Sequence, residues 1–186
     1  MIVYLHGFNS SPQSHKSQVL QRHMAERGMA DEFACPALPP APRAAIAAIE
    51  SLRARAGRAV CYVGSSLGGF YATYLVERHG DKAVLVNPAI DPHVGLRAYL
   101  GPQKNLYTGE PYELTATHLD EWRQLYIPRI TPDRYLLLVE TGDEVLDYRR
   151  AVERYAGAEQ VVVPGGDHSL RSFPDQLGRL LTFAGY

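Results

Sequence analysis

Residues 61–70, CYVGSSLGGF, decide how the chain is read. The stretch opens as a β-branched and aromatic run, passes through small residues, and continues into FYATYLVERHG, whose apolar positions recur at helical spacing. Strand and helix are so close together that only a sharp turn fits between them. Ser66 stands at that turn, with Gly64 two residues before it and Gly68 two residues after it, the spacing of a nucleophile elbow. Small residues at 64 and 68 let strand and helix pass closely, and the turn projects the Ser66 hydroxyl out of the sheet. Bulky side chains at either position would collide.

Working outward, strand-like and helix-like segments alternate, the pattern of βα units around a mostly parallel sheet. The predicted strands are Ile2–Leu5, Glu32–Cys35, Ala59–Val63, Ala83–Val86, Tyr135–Glu140 and Gln160–Val163. Most are continuous apolar runs, which strands covered by helices on both faces require. Helices are predicted over 17–27 with Gly28 as its stop, from Pro42 to a stop at Gly57, and over 67–79 ended by Gly80. Two more follow, marked by Tyr148, Ala151, Val152 and Tyr155, and by Leu177, Leu180 and Leu181.

One segment breaks the alternation. More than forty residues separate Asn87 from Tyr135, against about 2 to 6 for an ordinary βα connection. The segment carries Tyr99, Tyr107, Tyr112, Trp122 and Tyr126, with a capped helix expected to begin at Thr117. It reads as a cap or lid over about 92–131 that forms a binding wall, or as helices that only cover the sheet edge.

Composition limits the partners. At 186 residues the chain reads as one domain, 1–186, able to bury roughly 70% of its unfolded surface without a metal or disulfide. Nineteen basic and twenty acidic side chains leave a net charge of −1, so no field steers the molecule toward nucleic acid or anionic lipid. Cys35 and Cys61 read as buried free thiols suited to a reducing compartment. MIVYLHGF has no basic leader, and its apolar run is too short for a signal peptide or a membrane span. The expectation is a soluble, cytoplasmic protein.

A serine hydroxyl becomes a useful nucleophile only when a base takes its proton. Of the seven histidines, His168 in VVVPGGDHSL follows the last predicted strand in a glycine-containing loop, where active-site groups of open α/β sheets gather. His15, His23 and His79 fall on helical stretches, and His93 and His118 lie in the insertion. Asp143, just past the apolar strand LLLVE, suits the acid that orients the base. Asp147 is the runner-up, but a helix N-cap explains it equally well. Asp167 would have to fold back on its neighbour. Ser66, Asp143 and His168 then follow the chain order of α/β-hydrolases.

A tetrahedral intermediate needs two donors for its oxyanion. Leu67 offers its N–H at a helix start, and Phe8 in VYLHGFNSSP offers the second, with Gly7 freeing the turn and His6 holding the loop. A metal site built from His6, Asp143, Asp167 and His168 has no ligand-spacing motif behind it.

Together YLHGFNSSP, GSSLGGFYATYL, NPA, TGDEVLDY and GGDHS resemble the YqiA/YcfP-like esterases, a branch of the α/β-hydrolases, over essentially the whole chain. The resemblance implies a compact hydrolase of about six strands, starting at the strand that leads into the oxyanion loop. It also implies carboxylester or acyl-thioester cleavage by Ser66, Asp143 and His168, and places the family's cap at GPQKNLYTGEPYELTATHLDEW. The expected substrate is a small acyl ester, and no cofactor or metal is needed. A thioesterase acting on acyl-coenzyme A, with Arg43, Arg53, Arg55 and Arg58 near the nucleotide, and a non-catalytic module keeping the fold are the other readings.

Overall fold

The computed structural model describes residues 1–186. In chain order the elements are β1 (Ile2–Leu5), α1 (His15–Glu26), β2 (Phe33–Ala34), α2 (Pro42–Ala56), β3 (Cys61–Ser65), α3 (Leu67–His79), β4 (Lys82–Val86) and α4 (Pro92–Gly95). They continue with β5 (Gly101–Lys104), β6 (Pro111–Leu114), α5 (Ala116–Gln124), β7 (Tyr135–Glu140), α6 (Tyr148–Arg154), β8 (Glu159–Val163) and α7 (Leu177–Ala184). Six strands form one sheet in the order β2-β1-β3-β4-β7-β8. Every pairing in it is parallel.

Alternation along each strand sorts the core into two layers. Val3, Leu5, Tyr62, Ala83, Leu85, Leu137 and Val139 face one side, where α2, α3, α5 and α6 pack. Ile2, Tyr4, Cys61, Val63, Val84, Val86, Leu136 and Leu138 face the other, against α1 and α7. Both faces are therefore dry over the central strands β1, β3, β4 and β7, which is why these read as largely apolar runs.

The strand order sets where a site can form. From β1 the chain moves to β2 on one side and then returns to β3 on the other. The loops after β1 and β3 consequently leave the sheet in opposite directions and open a crevice at its carboxyl edge.

Several boundaries differ from the sequence reading. Helix α1 starts at His15 rather than residue 17, with Gln18 N–H reaching Ser14 O at 3.0 Å. Strand β2 shrinks to two residues at the sheet edge, just before Pro36. Strand β3 begins two residues late because Val60 N–H donates to Asp81 Oδ1 instead. Thr115, not Thr117, caps α5; its N–H and hydroxyl both donate to His118 Nδ1, at 3.0 and 2.8 Å. His118 thereby fills the place of the glutamate of a capping box.

The insertion divides in two. Leu119, Trp122 and Leu125 of its second half are buried in the same layer as α2 and α3, and Trp122 donates its indole N–H to Tyr71 Oη at 2.9 Å. Its first half forms the antiparallel hairpin β5–β6, which the sequence did not announce. GPQK and PYEL each contain proline and lack apolar alternation, the two usual strand signals.

Candidate active site

Ser66 is the residue between β3 and α3, and its backbone lies at φ 52°, ψ −119°. A side chain rarely adopts this conformation, which typically costs about 1–3 kcal/mol and persists only when surroundings impose it. Ser66 N–H donates to Val86 O at 3.0 Å, and Ser66 O accepts from Gly69 and Ala89 N–H at 2.9 and 3.0 Å. Packing tightens the same turn. A Cβ at Gly64 would lie 2.5 Å from Gly68 O, one at Gly68 would run into Leu5 O, and one at Gly69 would meet Pro88 Cβ at 2.6 Å. Serine at a helix N-cap ordinarily bonds the first free amides. Ser66 makes no such bond, so its hydroxyl is left to the cavity it lines.

His168 and Asp143 meet from the loops after β8 and β7. His168 Nδ1–H donates to Asp143 Oδ2 at 2.8 Å, and Asp143 Oδ1 accepts from Val145 and Leu146 N–H at 2.9 and 2.8 Å. The Asp143 side chain is 1% exposed. Burial pushes its carboxyl up, but the hydrogen bonds from His168, Leu146 and Val145 outweigh it and hold the group below its usual range. With Nδ1 committed, Nε2 is the ring nitrogen left for the cavity. Ser66 and His168 line the same cavity of about 600 Å³ without a hydrogen bond between them. Such contacts are often long in the absence of substrate.

The rival carboxylates have other work. Asp147 caps α6 by accepting from Arg149 N–H at 3.0 Å. Asp167 pairs with Arg171 at 2.6 Å and accepts from Ser169 N–H at 2.9 Å.

On the β1 side, Gly7 lies against Ser66, where a Cβ would come within 3.2 Å of Ser66 Cβ. Phe8 N–H donates to no acceptor in the chain, and Leu67 N–H, at the first position of α3, has no partner within its helix. Both residues line the Ser66 cavity. His6 is 5% exposed, with Nδ1–H donating to Gly7 O and Nε2 accepting from Leu38 N–H, each at 3.1 Å. Burial keeps its ring below the ordinary histidine value. His6 thus ties the loop to the segment after β2 as a neutral ring. Pro88, Ala89, Ile90, Leu96, Val145 and Leu146 form the cavity's apolar walls.

Two residues that hold the His168 loop escaped the sequence reading. Glu140, 1% exposed at the end of β7, accepts from the N–H groups of Asp167, Arg171 and Ser172 at 2.9, 3.1 and 2.7 Å. Burial raises its carboxyl, yet these amides more than compensate and keep it low. Asn87, at φ 41°, donates Nδ2–H to Asp167 O and His168 O at 3.3 and 3.2 Å. Their partners are backbone groups, which leave no trace in side-chain identity. The NPA stretch was the one available signal.

Other expectations divide. Cys61 is buried and its thiol is pushed up to about 12, whereas Cys35 is only half-buried, at about 11. Arg53 pairs with Asp81, Arg58 with Glu32, Arg43 with Gln124 and Arg55 with Ser51, and none of the four lines the Ser66 cavity. No group of three or more His, Cys, Asp or Glu side chains lies close enough to hold a metal ion. No helix is long and apolar enough to cross a membrane.

Solved structures share this architecture. Mouse alpha/beta hydrolase domain-containing protein 10 superposes with a TM-score of 0.75 at 16% identity, covering 97% of this chain and 86% of its own. Ferulic acid-bound Est1E from Butyrivibrio proteoclasticus gives 0.67 at 16% identity, covering 98% and 86%. The monoacylglycerol lipase of Paleococcus ferrophilus gives 0.67 at 16% identity, covering 98% and 94%. At such identities the likeness shows the fold, which is that of the α/β-hydrolases. The model of the uncharacterised protein family UPF0227, the YqiA/YcfP-like family, matches residues 1–185, and the chain belongs to that family.

Proposed function

We propose that the protein is a serine hydrolase that cleaves small-molecule carboxylic esters by acyl transfer to water. One observation carries this reading: a serine on a positive-φ elbow and a histidine bonded to a buried aspartate line a single cavity. In the proposed reaction Ser66 Oγ attacks the ester carbonyl while its proton passes to His168 Nε2. Asp143 fixes the tautomer and stabilises the imidazolium, and the oxyanion rests on the Phe8 and Leu67 amides. The imidazolium gives its proton to the departing alcohol, leaving an acyl group on Ser66. Water then attacks that acyl carbon as His168 takes its proton, the acid departs, and the hydroxyl is restored.

The apolar walls from Pro88 to Ile90, with Leu96, Val145 and Leu146, suit an apolar acyl group. Residues 92–131 act as the cap of one hydrolase domain spanning 1–186, and no cofactor or metal takes part. The four arginines considered for a coenzyme A phosphate are engaged away from the cavity, so a simple ester is favoured over a thioester.

A series of p-nitrophenyl esters of increasing acyl length, run beside coenzyme A thioesters of matched length, tests this directly. The expected result is ester turnover exceeding thioester turnover at each length and abolished in Ser66→Ala, whose fold is intact. Turnover retained in pure Ser66→Ala would refute it.

A further inference from the structure

The loop after β1 stands between two clefts. Gly7, Phe8, Asn9 and Ser10 line the Ser66 cavity on one side and a second cleft of about 640 Å³ on the other. Open volume on both sides deprives a segment of the dense packing that normally fixes backbone position. Directional contacts must hold it instead, and the β5–β6 hairpin supplies them. Asn9 Nδ2–H donates to Gln103 Oε1 at 3.0 Å, and Tyr112 Oη–H donates to Asn9 Oδ1 at 2.6 Å. Leu106 N–H reaches Asn9 O at 2.9 Å, and Asn105 Nδ2–H reaches Ser10 O at 2.8 Å. Asn9 itself sits at φ 53°, in a left-handed conformation that asparagine tolerates better than most residues. The residue directly before it is Phe8, whose ring also meets Tyr99 edge-on at 5.9 Å.

We infer that the β5–β6 hairpin sets the register of the oxyanion loop against Ser66, with Asn9 and Tyr112 as the positioning residues for the Phe8 amide. This rests on the acyl-transfer reading, in which that amide receives the oxyanion. Neither residue touches the reacting atoms. Both act through Phe8, because an oxyanion donor works only when held at about 3 Å from where charge develops. Loosening the clamp weakens transition-state stabilisation while the apolar walls continue to bind the ester, so the loss falls on kcat and spares KM.

Asn9→Gly keeps the left-handed backbone and deletes both side-chain bonds, whereas Tyr112→Phe deletes a single hydroxyl. With a short-chain p-nitrophenyl ester, each variant is expected to lower kcat about tenfold, short of the roughly hundredfold or greater loss on removing a donor outright. KM stays within about twofold and the melting temperature within a few degrees. The double variant falls no further than Asn9→Gly alone, since one shared bond has been cut twice. An active wild type with unchanged kcat in both variants, or a loss confined to KM or to melting temperature, overturns this inference alone. A wild type that neither turns over esters nor accepts a fluorophosphonate on Ser66 overturns the acyl-transfer reading, and this inference with it.

Discussion

Asp143, Asp147 and Asp167 all lie near His168 in the sequence or across the sheet, yet only Asp143 reaches its imidazole, at 2.8 Å. Asparagine at 143 would present an amide to Nδ1 and disfavour the productive tautomer, so Asp143→Asn should lower kcat by about 10⁴. Asp147→Asn replaces one good N-cap with another and should stay within about threefold. Steady-state kinetics on the two variants check this, and the reverse ranking would reassign the acid. His6 carries a pH signature of its own. Its folded-state value lies below its ordinary 6.5, so the unfolded chain binds the proton first. Stability is then complete above pH 6.5 and declines as pH falls toward the folded value. Asp143 and Glu140, also held low, add their loss further into acid, below the ordinary carboxylate values. Melting curves between about pH 5 and 6.5 should therefore be flatter for His6→Gln than for wild type. Parallel curves would show that His6 does not titrate in this window.

At the scale of elements, the loop from Gly165 to Ser172 is fixed by polar contacts more than by burial. Glu140 gathers three of its amides, and hydrogen bonds to a charged acceptor contribute about 1.5–3 kcal/mol each. Glu140→Gln turns an N–H₂ toward those donors, so it should lower the melting temperature and reduce kcat about tenfold through misplacement of His168. Calorimetry and kinetics on the same preparation test it; unchanged values in both would show that Asn87 and the contact from Glu144 hold the loop without it. These elements also mark the limit of the sequence reading. β1, β4 and β7 were legible because short apolar runs bounded by turn residues suit strands buried on both faces, and the meeting of Asp143 with His168 was legible because each lies in the loop after a predicted strand. Asn9, Asn87 and Glu140 were not, since their partners are backbone groups or distant side chains that only the folded chain brings near. The hairpin hid behind Pro102 and Pro111, and the start of α5 was misplaced because His118 served as a capping residue.

Across the whole molecule, the parallel sheet turns the carboxyl ends of β1, β3, β7 and β8 toward one edge, and the reversal of strand order between β1 and β3 opens the crevice there. The same architecture is found in solved structures at 16–18% identity. The insertion has two parts, with α5 completing one layer of the core and the hairpin hydrogen-bonded to the loop beside Ser66. In the proposed function, all of this serves one hydroxyl, that of Ser66. Treating the folded protein with a fluorophosphonate, then comparing intact mass, peptide map and residual ester turnover, tests that directly. The account predicts a single adduct on Ser66 whose extent matches the loss of turnover, and turnover that persists after Ser66 is fully modified would contradict it.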